Sequence, residues 1–135
     1  VEWANDEQDM FEHWDVKGLF KGEILKFDVK GKKKVNRADA NSQDEIAWIE
    51  GTNVWGKPGW IKGKADYIVF ERNDYWLVVD RKELYNHVVQ KVKENGVQQG
   101  RGIYKVYQRA GRQDKITMVP FDNIEKLINI HKVQK

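Results

Sequence analysis

Residues 14–31 read Trp14-Asp15-Val16-Lys17-Gly18-Leu19-Phe20-Lys21-Gly22-Glu23-Ile24-Leu25-Lys26-Phe27-Asp28-Val29-Lys30-Gly31, two near-identical Asp-Val-Lys-Gly phrases around a short turn. How these phrases pair decides the fold. Lys21-Gly22 suits a two-residue hairpin loop, which makes Phe20 and Glu23 cross-strand partners. Carried back along both strands, that register sets Asp15 opposite Asp28. Like charges facing each other across a sheet repel, so the pair needs a cation. Lys30, two residues beyond Asp28, projects from the same face. Two carboxylates and a lysine on one face suit a divalent metal and a phosphate ester. The alternation predicts that Val16, Gly18, Phe20, Leu25, Phe27 and Val29 pack, leaving Asp15, Lys17, Lys26, Asp28 and Lys30 on a working face. Val29 is then expected to face the core and to offer only its main-chain carbonyl as a metal ligand. A three-residue turn would put the two Asp side chains on opposite faces, so everything hangs on the register.

Upstream, Trp3, Glu7, Met10 and Trp14 follow helical spacing, with Phe11 widening the stripe, and predict a short amphipathic helix up to about His13. Downstream, Gly31 to about Asp44 is polar and opens with Lys32, Lys33, Lys34 and Arg37, the pattern of a mobile loop. Ile46 to Thr52 is a third strand, followed by a glycine-punctuated loop to Lys64 that holds Trp55, Pro58 and Trp60. Ala65 to Glu71 and Tyr75 to Val79 make a second hairpin. Asp80 with Glu83 forms a capping-box signature for a helix that buries Leu84, Tyr85, Val88, Val89 and Val92 and stops at Asn95-Gly96. Gly102 to Arg109 and Lys115 to Pro120 are further strands. A last helix is expected from Asp122, burying Ile124, Leu127 and Ile128. The order is that of a single α+β domain spanning 1–135, with a central mixed sheet flanked by helices.

At 135 residues the chain can bury roughly two thirds of its unfolded surface without a disulfide or metal staple. Hydrophobic residues at 40% and charged residues at 33% exclude a disordered chain. The absence of Cys excludes a disulfide framework, thiolate zinc ligands and cysteine nucleophiles. The net charge of +3 is compatible with a polyanionic partner. No apolar run approaches the ~20 residues of a membrane span and no signal-peptide pattern opens the chain, so a cytoplasmic location is expected. Val rather than Met at residue 1 leaves room for a trimmed amino terminus. His13, His87 and His131 are too scattered for a histidine metal site.

An acid on one strand followed by acid-x-lysine on the next resembles the PD-(D/E)XK, or restriction-endonuclease-like, nuclease superfamily. Asp15 matches its first acid, Asp28 its second and Lys30 its lysine; Trp14 stands in place of the proline, and Asp in place of the commoner Glu. The element order over the first ninety-five or so residues also fits. The likeness is closest to small phage-type, resolvase-like and homing-type members, which frequently work as homodimers. It implies a restriction-endonuclease-like core, Mg²⁺ or Mn²⁺ bound by Asp15 and Asp28, and a water positioned by Lys30 to hydrolyse DNA. Several members add a glutamate from the first helix; Glu7 is the candidate, with Glu2, Glu12 and Glu50 as rivals.

Lys17, Lys32, Lys33, Lys34 and Arg37 suit contacts to the phosphate backbone. Gln98, Gln99, Arg101, Arg109 and Arg112 form a second polar and basic group, of which Arg101 is taken as a DNA contact. Trp55 and Trp60, placed in a loop, are the indoles for stacking on a base or filling a partner's pocket. Two other readings stay open: a non-catalytic nucleic-acid-binding module on the same fold, and a structural or interaction protein whose basic loop only faces solvent.

Overall fold

The chain enters as a short edge strand, β1 (Glu2–Trp3), then makes a π-helical turn over Gln8–Glu12 before the hairpin of β2 (Val16–Phe20) and β3 (Glu23–Lys30). The computed structural model describes residues 1–32, 43–52, 57–94, 102–108, 111 and 113–135. The hairpin closes in the register its turn dictates. Lys21 and Gly22 both take left-handed backbone, at φ 52° and 82°, and the ladder runs from Phe20↔Glu23 to Val16↔Phe27.

The expected first helix is replaced by β1 and the short turn. Its predicted stripe is not a buried face: Trp3 is 75% exposed, and Met10 and Phe11 also face solvent, while only Trp14 enters the core. The reason is geometric. Pairing of Glu2 with Lys17 and Trp3 with Val16 holds the chain extended, and a five-residue turn is too short to present a face.

β4 (Ile46–Thr52) is followed by a 3₁₀ turn at Trp60–Lys62, β5 (Tyr67–Glu71) and β6 (Tyr75–Asp80). Helix α1 (Arg81–Glu94) leads to β7 (Val106–Tyr107), β8 (Lys115–Pro120), a single helical turn α2 (Phe121–Ile124) and β9 (Ile130–Gln134). Two sheets result. One is six-stranded and mixed, in the order β1-β2-β3-β5-β6-β9, with β3 and β5 parallel and the other pairs antiparallel. The other is β4-β8-β7, antiparallel. The fold is α+β, as expected, but the third strand belongs to a second sheet.

The core lies between the sheets and α1. Ile68, Phe70, Leu77 and Val79 from the large sheet meet Ala47, Ile49 and Val119 from the small one, with Leu84 and Val88 of α1 and Trp60 and Ile61 closing it. In the β3–β5 ladder Asp28 is paired with Ile68 and Lys30 with Phe70, so the face that carries Asp28 and Lys30 is the core face. This inverts the expected assignment. Asp28 is 3% exposed and Val29 39%, because the second sheet covers the side that alternation alone marked as polar. Phe20, Phe27, Tyr67 and His131 cluster on the opposite face as half-buried rings, with centroids 5.4–5.8 Å from Phe20.

Asp80 caps α1 as predicted, its Oδ1 accepting from Glu83 N–H at 2.9 Å. The reciprocal half of the capping box is absent: Glu83 accepts instead from the N–H groups of Ile128 and Asn129, and so ties α1 to the start of β9. The expected last helix shrinks to one turn for the same reason. Ile124 is buried, Leu127 partly so, but Ile128 is 94% exposed. From Ile130 the chain is drawn out along β6. The strand expected over Gly102 to Arg109 is reduced to β7 and a bridge from Ile103 to Met118. The predicted helix stop at Asn95-Gly96 lies outside the described residues.

Candidate active site

The site forms where β2 stops and β3 continues. Asp15 N–H donates to Phe27 O at 2.8 Å, and the Asp15 carboxylate then receives the Val29 N–H at 2.6 Å. The side chain thus satisfies a main-chain donor that a longer β2 would have bonded. This pins Asp15 against β3. Its carboxyl contacts that of Asp28, one step beyond the last ladder pair. Lys30 Nζ lies 3.2 Å from Asp28 Oδ2 and 4.8 Å from the centre of the Trp60 ring. The contact to Oδ2 is an ion pair without hydrogen-bond alignment, and this buried oxygen accepts no hydrogen bond among the described residues.

Burial pushes the Asp28 carboxyl up to about 7; Lys30 opposes the shift and Asp15 adds to it. Asp9, on the π-helical turn, contacts Asp15 with its own carboxyl and is raised as well, by burial and by that contact. Asp15 thus contacts two other acidic side chains, and Lys30 acts on both of them. Glu7, the residue expected from this segment, is exposed. Asp9, two positions on, is exposed as well, but the π-helical turn brings its carboxyl against Asp15. Nothing in the spacing of one acidic residue among Asp6, Glu7 and Asp9 marks it out.

Of the rival glutamates, Glu2 is paired with Lys17 at 3.1 Å, and Glu12 accepts from the Trp14 indole at 3.1 Å and faces Lys26 at 3.9 Å. Glu50 lines a cavity of about 260 Å³ beside the site, together with His13, Lys30, Trp48 and Trp60. Two glycines build that wall. A Cβ on Gly59 would stand 2.3 Å from Glu50 O, and one on Gly63 would stand 2.7 Å from His13 Cβ. The Gly59–Gly63 segment therefore lies flush against β4 and the end of the π-helical turn, and His13 Nε2 bonds Pro58 O at 3.1 Å.

Among the described residues no three acidic or histidine side chains are arranged to hold a metal ion. Two carboxylates in contact, one with a buried oxygen lacking a hydrogen bond, nonetheless fit a hard cation. Mg²⁺ is commonly held by one or two carboxylates, with water and substrate phosphate filling the rest of its shell. Asp15 and Asp28 are such a pair. The Val29 group seen to engage the site is its N–H, while its side chain points to the opposite face, contrary to the core-facing expectation.

Of the expected DNA contacts, Lys17 is paired with Glu2 and sits 5.5 Å over the Trp14 ring. Lys32 donates to Asn73 through Nζ and to Glu71 through its main-chain N–H. Trp60 is 7% exposed and cannot stack on a base from a surface loop: the 3₁₀ turn folds it under Lys30. Lys33, Lys34, Arg37, Trp55, Gln98, Gln99, Arg101, Arg109 and Arg112 lie outside the described residues. None of the described helices is long and apolar enough to cross a membrane. Compared with protein-family models, with curated proteins and with solved structures, the chain matches none.

Proposed function

We propose that the chain is a metal-dependent DNA endonuclease on a restriction-endonuclease-like core, with Asp15 and Asp28 binding Mg²⁺ or Mn²⁺ and Lys30 positioning the water that attacks the phosphodiester. The observation that carries this reading is the convergence of Asp15, Asp28 and Lys30 at the end of one hairpin, with Asp28 nearly buried and 3.2 Å from the ammonium. Without a polyvalent cation, burial keeps a proton on Asp28 until the pH rises to about 7. A bound divalent cation would take the place of that proton and supply positive charge to the scissile phosphate.

The protein's own groups divide the remaining work. The Val29 amide fixes the Asp15 carboxylate through a 2.6 Å hydrogen bond, so its ligand position is set by the backbone of β3. Lys30 is held between Asp28 and the Trp60 face, which leaves its ammonium directed along the site rather than out to solvent. There it can orient a water and offset charge developing on phosphorus. DNA is the expected partner. The described residues of one chain carry one such centre, so cutting both strands of a duplex in a single event calls for a homodimer.

Incubation of supercoiled plasmid, branched DNA and single strands with Mg²⁺ or Mn²⁺ tests the reading. Cutting should fall at least a hundredfold in Asp28→Ala and in Lys30→Ala. Cutting that survives both substitutions would overturn the site. Salt-sensitive DNA binding with no cutting of any substrate would instead mark a binding module.

A further inference from the structure

We infer that the cavity beside Lys30 is a nucleobase pocket, and that the DNA accepted by this site carries an unpaired nucleotide next to the bond to be cut. The inference rests on the nuclease reading for the position of the scissile phosphate. Three observations carry it, and the first is depth. Asp28 is almost wholly buried, and Lys30 keeps about a quarter of its side chain accessible (27%), in a recess between the two sheets. A phosphate in a stacked duplex is held on a stiff cylinder between its neighbours. An unpaired nucleotide can bend its backbone into a recess, and enzymes that act deep within a site use such extrusion.

The second observation is size and lining. The cavity, about 260 Å³, is smaller than the roughly 300–1,000 Å³ of pockets that take drug-sized molecules. It suits one flat ring system and excludes a length of polymer. Trp48, Phe70 and Phe121 give it aromatic walls, and Lys30, Glu50 and Glu71 line it as charged groups. Trp48 is half-buried, whereas Trp60 is covered, so Trp48 is the indole with surface to offer for stacking.

The third is rigidity. Gly59 and Gly63 let the Trp60 segment lie directly on Glu50 and His13, so the wall is built before any ligand arrives. Lys30 belongs both to the cavity lining and to the acidic cluster, which places a base in the cavity beside a phosphate at Asp28.

The test uses the full chain with Ca²⁺ for binding and Mg²⁺ or Mn²⁺ for cutting. The probes are a fully paired duplex and the same duplex with one unpaired 2-aminopurine. Expected are at least tenfold tighter binding of the unpaired form, quenching of the 2-aminopurine on an indole, and cutting beside it. Trp48→Ala should remove the preference and the quenching, and Trp48→Phe should keep most of the preference. Equal binding and cutting of both duplexes would overturn the pocket while leaving the nuclease reading intact. Preference and quenching without cutting would support the pocket and sink the nuclease reading. Should Trp48→Ala fail to fold by circular dichroism, the wild-type quenching and the Trp48→Phe preference decide the matter: absence of both overturns it.

Discussion

Asp28 carries the sharpest prediction at the level of a single residue. Its carboxyl is pushed from the ordinary 3.8 up to about 7, chiefly by burial. Between those values the folded protein keeps a proton that the unfolded chain has released. The stability contributed by the neutral form is therefore full below about pH 4 and is lost as pH rises through 7. With chelator present, Asp28→Asn should melt at a higher temperature than wild type at pH 8. The gain should be at most ~4 kcal/mol, the free-energy equivalent of that rise, in which the opposing pull of Lys30 is already counted. The difference should vanish by pH 4. Calorimetry at both pH values checks it, and an unchanged melting point at pH 8 would show that the buried charge costs nothing. The same substitution is expected to abolish cutting, so one change should raise stability and destroy activity.

Among the elements, the hairpin was legible in the sequence because its information is local. Lys21-Gly22 fixes the turn, the turn fixes the register, and the register brings Asp15 to Asp28. The direction in which the hairpin faces was not legible. Alternation separates two faces without saying which is covered, and here the cover comes from β4 and β8, which pair with each other in a second sheet and not with the hairpin. β9 was missed because Ile130 and Val133, three apart, also fit a helical period. Trp60 was misplaced because a glycine-flanked aromatic reads equally as a loop tip or as a segment packed where side chains would not fit. The Gly59 contact distinguishes these: a Cβ 2.3 Å from Glu50 O has no room. Gly59→Ala should cost roughly 1–3 kcal/mol by overpacking. It should also lower cutting by displacing Trp60 from beneath Lys30. Urea melts and single-turnover kinetics on one preparation measure both, and full activity would detach the Trp60 segment from the site.

Over the whole molecule, the two sheets are joined by Arg72. From the β5–β6 turn its Nε donates to Asp44 Oδ1 at 2.8 Å, its Nη2 to Asp44 O at 2.9 Å and its Nη1 to Glu125 Oε1 at 3.2 Å. The guanidinium also lies 4.1 Å over the Phe121 ring, which lines the cavity. Arg72→Ala takes from Asp44 its one cation among the described residues, leaving it the Asn73 N–H, and leaves Glu125 to Lys132 and the Tyr75 hydroxyl; it should destabilise by about 3 kcal/mol. Arg72→Lys should recover little, since an ammonium cannot supply the planar fork. Chemical denaturation of the pair checks this, and full rescue by Lys would show that only charge matters. The parallel pairing of β3 with β5 has a further consequence, in time. β3 meets β2 across a two-residue turn but reaches β5 only after residues 31–66. Hairpins close in about 1–10 μs, whereas distant pairing is slow because a long loop must first be closed. The acidic pair thus comes together early and the aromatic wall late. In stopped-flow traces Gly22→Ala should slow folding, Gly59→Ala should mainly hasten unfolding, and a chain interrupted midway would already hold both carboxylates and Lys30 on one hairpin, still without the Trp60 face that covers the ammonium.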